Sequence, residues 1–226
     1  MRLILAVLLV PLLAHAQDRV VSCRFLGFQT GDTTSLINVA AGTEMSCPLE
    51  SSGISAPVSL VATNNVLNFV TAKDRKPACA INVPPNMRQA LIVITPNGSD
   101  PAKPWRGFAI EDSKKNFPDG GALVVNLHSS NIRFVIGEHK YVLKPGDQYG
   151  MEMPKQVDDF NMATVAFEFS NKDQWAKASE SRQRFTPGLR YLMIAYTDPA
   201  SQRPRLSVYQ DDPFKALAVS GKPATP

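Results

Sequence analysis

Apolar and polar positions alternate along this chain in short blocks. Runs rich in Val, Ile, Phe and Tyr recur about every eight to twelve residues, divided by Gly, Pro, Asn and Asp. They fall near residues 20–28, 36–40, 44–49, 58–63, 66–71, 78–83, 89–95 and 106–111, and again near 121–128, 132–136, 139–143, 148–153, 162–169, 189–196 and 205–210. Ile132, Phe134 and Ile136 alternate with Arg133 and Val135, the pattern of a half-exposed strand. "ALIVI" (90–94) and "YLMIAY" (191–196) are apolar on both parities, which predicts central strands buried on both faces. Beyond the N-terminal leader, the one stretch with helical potential is "KDQWAKASESRQR" (172–184), readable as a short helix or a polar loop. The spacing predicts an all-β sandwich architecture.

The two halves echo each other. When "VPPNMRQALIVITPN" is set over "FTPGLRYLMIAYTDP", Pro85 falls on Pro187, Arg88 on Arg190 and Ile92 on Ile194. Upstream, "LINVAAGTEMSCPL" resembles "IRFVIGEHKYVLKP", and downstream "PWRGFAIED" resembles "RPRLSVYQD". Three matched blocks in the same order predict two tandem immunoglobulin-like antiparallel β-sandwich units arising from internal duplication. The units span 18–113 and 119–213, joined by "KKNFP", with 214–226 as a flexible C-terminal tail. A single larger sandwich with one shared core is the competing architecture.

"MRLILAVLLVPLLAHAQ" opens with Arg2, continues with an apolar run to Leu13 and ends in Ala14-His15-Ala16. That is the layout of a signal peptide over residues 1–16, and it predicts export to the periplasm, cell surface or extracellular space. Two other readings are a retained anchor, for which the run is short, and a lipoprotein at Val20-Val21-Ser22-Cys23, where Asp18 and Arg19 interrupt the apolar approach. No second long apolar stretch follows, so no membrane span is expected in the mature chain. Loss of Arg2 takes the formal net charge from +4 to +3, spread over interspersed charges of both signs. Such a surface gives no purchase for nucleic acid.

"FPDGGALVVNLHSSNIRFVIGEHKYVLKPGD" (117–147) resembles segments of secreted bacterial β-sandwich proteins with immunoglobulin-like folds, some of them surface or type IV pilus-associated. The resemblance covers about a third of the chain and lies in its strand-and-hairpin pattern. It implies a surface or assembly role and carries over no functional residue. The Trp between two bridged Cys that marks immunoglobulin domains is missing, because Trp105 and Trp175 both follow Cys79.

Candidate chemistry is sparse. The mature chain has two histidines, His128 and His139, and no Gly-x-Ser-x-Gly elbow. The acidic pairs Asp158-Asp159 and Asp211-Asp212 sit in or beside turns, where Asp bonds local backbone. The chain therefore reads as non-enzymatic and needing no cofactor, with hydrolase the weakest alternative. Met151 and Met153 share a strand face, and with His128 and His139 they form a thioether–imidazole set suited to copper in an exported protein. The competing reading is core filling by methionine. Cys23, Cys47 and Cys79 share the inward parity, so an oxidising compartment allows one disulfide among them, the pair left open by sequence. Trp105, Tyr149 and Trp175 are candidate glycan platforms, and Asn97-Gly98-Ser99 has the form of a glycosylation sequon. The expected partner is a protein or a second copy, met through edge strands and loops.

Overall fold

The computed structural model describes residues 18–98, 100–171 and 174–212. The predicted leader at 1–16 and the whole of the tail at 214–226 lie outside the described residues. Sixteen strands and no helix occur among those residues. The first eight are β1 (Asp18–Gly27), β2 (Ser35–Ala40), β3 (Thr43–Pro48), β4 (Val58–Thr63), β5 (Val66–Thr71), β6 (Pro77–Asn82), β7 (Gln89–Pro96) and β8 (Trp105–Glu111). The second eight are β9 (Ala122–Asn126), β10 (Ile132–Ile136), β11 (His139–Leu143), β12 (Gln148–Met151), β13 (Met162–Asn171), β14 (Gln174–Arg184), β15 (Arg190–Thr197) and β16 (Pro204–Asp211).

The chain is all-β with a sandwich architecture. In the first half, β4-β1-β7-β8 faces β3-β2-β5-β6, and the two layers join only where Thr63 pairs with Val66. The Asn64-Asn65 turn between them has φ of 52° and 65°, left-handed backbone that Asn tolerates best after Gly. In the second half, β12-β9-β15-β16 faces β11-β10-β13-β14. Strand for strand, this is the same order. The pairing is not purely antiparallel as expected from sequence, because β1 runs parallel to β7 and β9 parallel to β15. Parallel neighbours need a long crossover, and here each crossover contains the whole opposite sheet and one edge strand of its own, β4 or β12.

Hydrogen bonds fix the correspondence between halves. Gly27 N–H donates to Glu50 O as Asn126 N–H does to Asp147 O, and Phe28 N–H donates to Ile94 O as Leu127 N–H does to Ala195 O. Ile94 therefore corresponds to Ala195, and Val93 to Ile194. The alignment of Ile92 with Ile194 suggested by sequence is one residue out. The faces agree: Val93 and Ile194 belong to one buried cluster, whereas Ile92 lies in another. A one-residue slip would turn every side chain to the wrong side of the sheet.

There are three cores. One fills the first sandwich around Phe25, Leu36 and Phe69, and one fills the second around Phe134, Phe167 and Phe185. The third lies between the halves, where Leu26, Phe28, Leu91, Val93 and Ile110 meet Leu123, Val125, Leu192 and Ile194. This explains the double parity of the central strands: one face of β7 and β15 serves its own sandwich and the other serves the interface. Residues 90–94 and 191–195 are all buried. Neither a bare tandem nor one shared core describes the arrangement.

The join between β8 and β9 belongs to this interface. Phe117 is fully buried in the third core. The backbone crosses β12 so closely that a Cβ on Gly150 would stand 2.0 Å from Asn116 O.

A further sequence assignment overturned is "KDQWAKASESRQR", read as a short helix or a polar loop. Its described part, Gln174–Arg184, is a long antiparallel edge strand paired along β13 with a bulge at Phe167/Glu168. Ladder bonding to β13 overrides the helical propensity of Ala, Lys and Gln. Its polar faces fit an edge position, where charge discourages further pairing.

Candidate functional site

The densest polar constellation is a closed ring of four charges between the units; the sequence marked Asp211 only as half of an acidic pair bonding local backbone and Arg190 only as a match in the repeat, and joined neither to Arg24 or Asp112. Arg24 Nε donates to Asp112 Oδ2 at 2.8 Å, while its Nη1 and Nη2 grip Asp211 Oδ1 and Oδ2, each at 2.8 Å. Arg190 Nη1 donates to Asp112 Oδ1 at 2.9 Å, and Arg190 Nε to Asp211 Oδ2 at 2.9 Å. The Arg190 guanidinium also lies 4.3 Å from the centre of the Phe117 ring. The side chains are 3–11% exposed. Burial pushes the Asp211 carboxyl up, but Arg24 and then Arg190 outweigh it and hold the group below its ordinary value. Two cations balance two carboxylates, so the ring is a neutral lock and not a reaction centre. The sequence signal for it was Arg24, a charge on the face of β1 that also carries Leu26 and Phe28.

The two histidines of the candidate copper set stand apart. Met151 is buried in the second core beside Phe134 and Phe167, and Met153 packs on its edge against Gly120. The ring of His128 meets Phe169, the partner of Ile132, whereas His139 pairs with Ile136. Four residues of strand, about 13 Å, divide those positions. His128 Nδ1 accepts from Ser130 N–H at 2.9 Å, and burial holds this histidine below its ordinary value against that bond. His139 Nε2 stands 3.5 Å from Glu138 Oε1. Among the described residues, no three His, Cys, Asp or Glu stand together as metal ligands.

All three cysteines are buried free thiols in the first core. Cys47 and Cys79 lie on β3 and β6, with β2 and β5 between them. Cys47 is nonetheless near enough to Cys23 and to Cys79 to add to the upward push on both thiols. Desolvation pushes Cys23 up to about 12, Cys47 to about 11 and Cys79 to about 12, so none is a ready nucleophile. Asp158 is occupied by the N–H groups of Phe160 and Met162 and by Arg182.

Of the candidate platforms, Trp105 packs on the first core. Tyr149 stacks on Tyr141 with ring centres 3.7 Å apart and bonds its hydroxyl. Trp175 carries the Arg133 guanidinium 4.8 Å from its ring centre. Arg133 also pairs with Glu168, its neighbour across β10–β13. Beside them, a surface groove of about 610 Å³ runs over the β11-β10-β13 face between Arg133, Lys140, Tyr141, Val142 and Glu168. Val142 is 58% exposed at the sheet edge. The sequence signal was the consecutive pair Tyr141-Val142 in a strand otherwise expected to alternate.

No protein-family model matches the chain, and no curated protein matches it. Among the described residues, no helix is long and apolar enough to cross a membrane.

Proposed function

We propose that the protein is a non-enzymatic, exported binding or structural module of the cell envelope or surface. It engages a protein partner, or a second copy of itself, by strand addition along β11. The observation that carries this reading is the contrast between the two edges of one sheet. β11 leaves Lys140, Tyr141 and Val142 exposed beside an apolar-lined groove. The opposite edge, β14, bears Lys177, Glu180, Arg182 and Arg184 and is defended against pairing. An edge strand with adjoining side-chain pockets is the arrangement used for strand addition, where backbone bonds give affinity and pockets give selectivity. The matching strand order of the halves supports their origin by internal duplication, which leaves a spare edge free to specialise.

The test is site-specific photocrosslinking in the producing cell, with the reactive group at position 142 or, for comparison, at 183 on β14. A discrete adduct from 142 alone, lost on adding Lys140→Glu and Tyr141→Ser, is the expected result. No adduct, or equal adducts from both edges, overturns the reading.

A further inference from the structure

Contacts across the interface are reciprocal, and at one end the reciprocity fails. Phe28, from the first unit, packs edge-on against Tyr196 and Tyr209 of the second, with ring centres 4.9 and 6.4 Å away. By the hydrogen-bond correspondence, Phe28 is matched by Leu127 and Tyr196 by Thr95. The opposite end of the interface thus has Leu127 and Thr95 where the first end has two rings. A cleft of about 410 Å³ opens there between the units, and an adjoining lobe of about 520 Å³ shares Phe108, Leu127 and Gly146 with it.

The walls of the smaller lobe are rich in donors and lack carboxylates. Thr95 pairs across β7–β8 with Arg106, so both project from the same face. Among the described residues Arg106 forms no ion pair and the side chain of Thr95, a residue 7% exposed, has no hydrogen-bond partner. His128 accepts at Nδ1, which places the proton of the neutral ring on Nε2 as a further donor. Asn126 is fully committed, to His128 N–H, Ser130 O and Leu143 O, and fixes the turn that carries His128. Phe108 and Leu127 supply the apolar wall.

We propose that this cleft binds a small carboxylate with an aromatic body, its head held by Arg106, Thr95 and the Nε2–H of His128, and its ring seated on Phe108 and Leu127. A guanidinium with two neutral donors suits a planar anion, and the seat lies where the other end of the interface holds a protein ring. The site is separate from the β11 edge and stands or falls independently of it.

The test is calorimetric titration of the full mature chain with phenylacetate and with phenylacetamide, alongside the His128 ring resonances by NMR. Phenylacetate is expected to bind saturably at millimolar levels, to shift those resonances, and to bind about tenfold more tightly than the amide. Arg106→Gln, an exposed substitution, should reduce phenylacetate to the level of the amide. Leu127→Phe, which copies Phe28 into the cleft, should abolish binding. Gly-Gly-Phe with a free C-terminus distinguishes a peptide end from a free small acid, by binding more or less tightly than phenylacetate. Equal binding of acid and amide, no saturable binding of any probe, or unchanged affinity in Arg106→Gln overturns the proposal.

Discussion

Arg24→Leu tests the lock between the units, with the substitution the molecule itself carries at the corresponding position, Leu123. The change removes three charge-assisted hydrogen bonds of 2.8 Å from a side chain 7% exposed. Asp112 and Asp211 are left to share Arg190, so a buried neutral ring acquires one uncompensated negative charge. Breaking a buried pair in this way costs about 3–5 kcal/mol, most of it from the orphaned carboxylate. Arg24→Leu with Asp211→Leu restores neutrality, leaving Arg190 with Asp112 and two apolar groups at the site. It is expected to recover at least about 2 kcal/mol of the single-variant loss, because apolar replacement of a whole pair is often neutral. The assay is urea unfolding of single-tryptophan variants, with Trp105 reporting the first unit and Trp175 the second. The two transitions should coincide in the parent and part in Arg24→Leu as the third core loses its anchor. A single-variant cost under about 1 kcal/mol, or strict additivity in the double variant, would refute the reasoning.

Acid should loosen the same ring. Asp211 titrates below its unfolded value of about 3.9, so its contribution is complete above about pH 4 and is lost as pH falls through the folded value; acid unfolding of Asp211→Asn should lack this component. Gly150→Ala should destabilise by about 1–3 kcal/mol or more, since its Cβ would stand 2.0 Å from Asn116 O, and thermal unfolding measures this. A thiol reagent should label none of Cys23, Cys47 and Cys79 in the native protein at pH 8 and all three in urea. Rapid labelling of any one in the folded state would contradict their burial.

Element type was legible because strand periodicity is short and local. Fifteen of the runs marked in the sequence correspond to strands, with ends shifted by a few residues at most. β14 was not legible, because Trp175 is the one large apolar side chain in Gln174–Arg184 and a single residue sets no alternation. What makes it a strand is β13, whose ladder exists only after folding. The two histidines of the copper set stand apart for a related reason. Residues near in sequence can sit at opposite ends of one sheet: His128, in the loop after β9, meets Phe169 at the Ile132 end of β10, and His139 on β11 pairs with Ile136 at the other. Their spacing in the chain carries no information about register along β10 and β13.

The double parity of the central runs was the strongest architectural signal, yet it understated what it meant. A strand buried on both faces requires two cores, and in a chain that repeats one topology the second core can be the surface between the copies. The interface then inherits the constraints of both copies. Each position from Cys23 to Gly27 on β1 and along β7 has a counterpart on β9 and β15, and contacts come in related pairs. Two departures from that pairing account for the polar and open features of the interface. Arg24 stands where its counterpart is Leu123, and Arg190 where its counterpart is Gln89, which gives Asp112 and its counterpart Asp211 two shared cations. Leu127 and Thr95 stand where the counterparts are Phe28 and Tyr196, which opens the cleft. Neither departure is visible in a single run, since it exists only as a difference between runs about a hundred residues apart in the correct register. The sequence alignment placed Arg88 over Arg190, one residue out, so it showed a conserved Arg where the fold has Gln89 against Arg190 and concealed the asymmetry from which the lock is made.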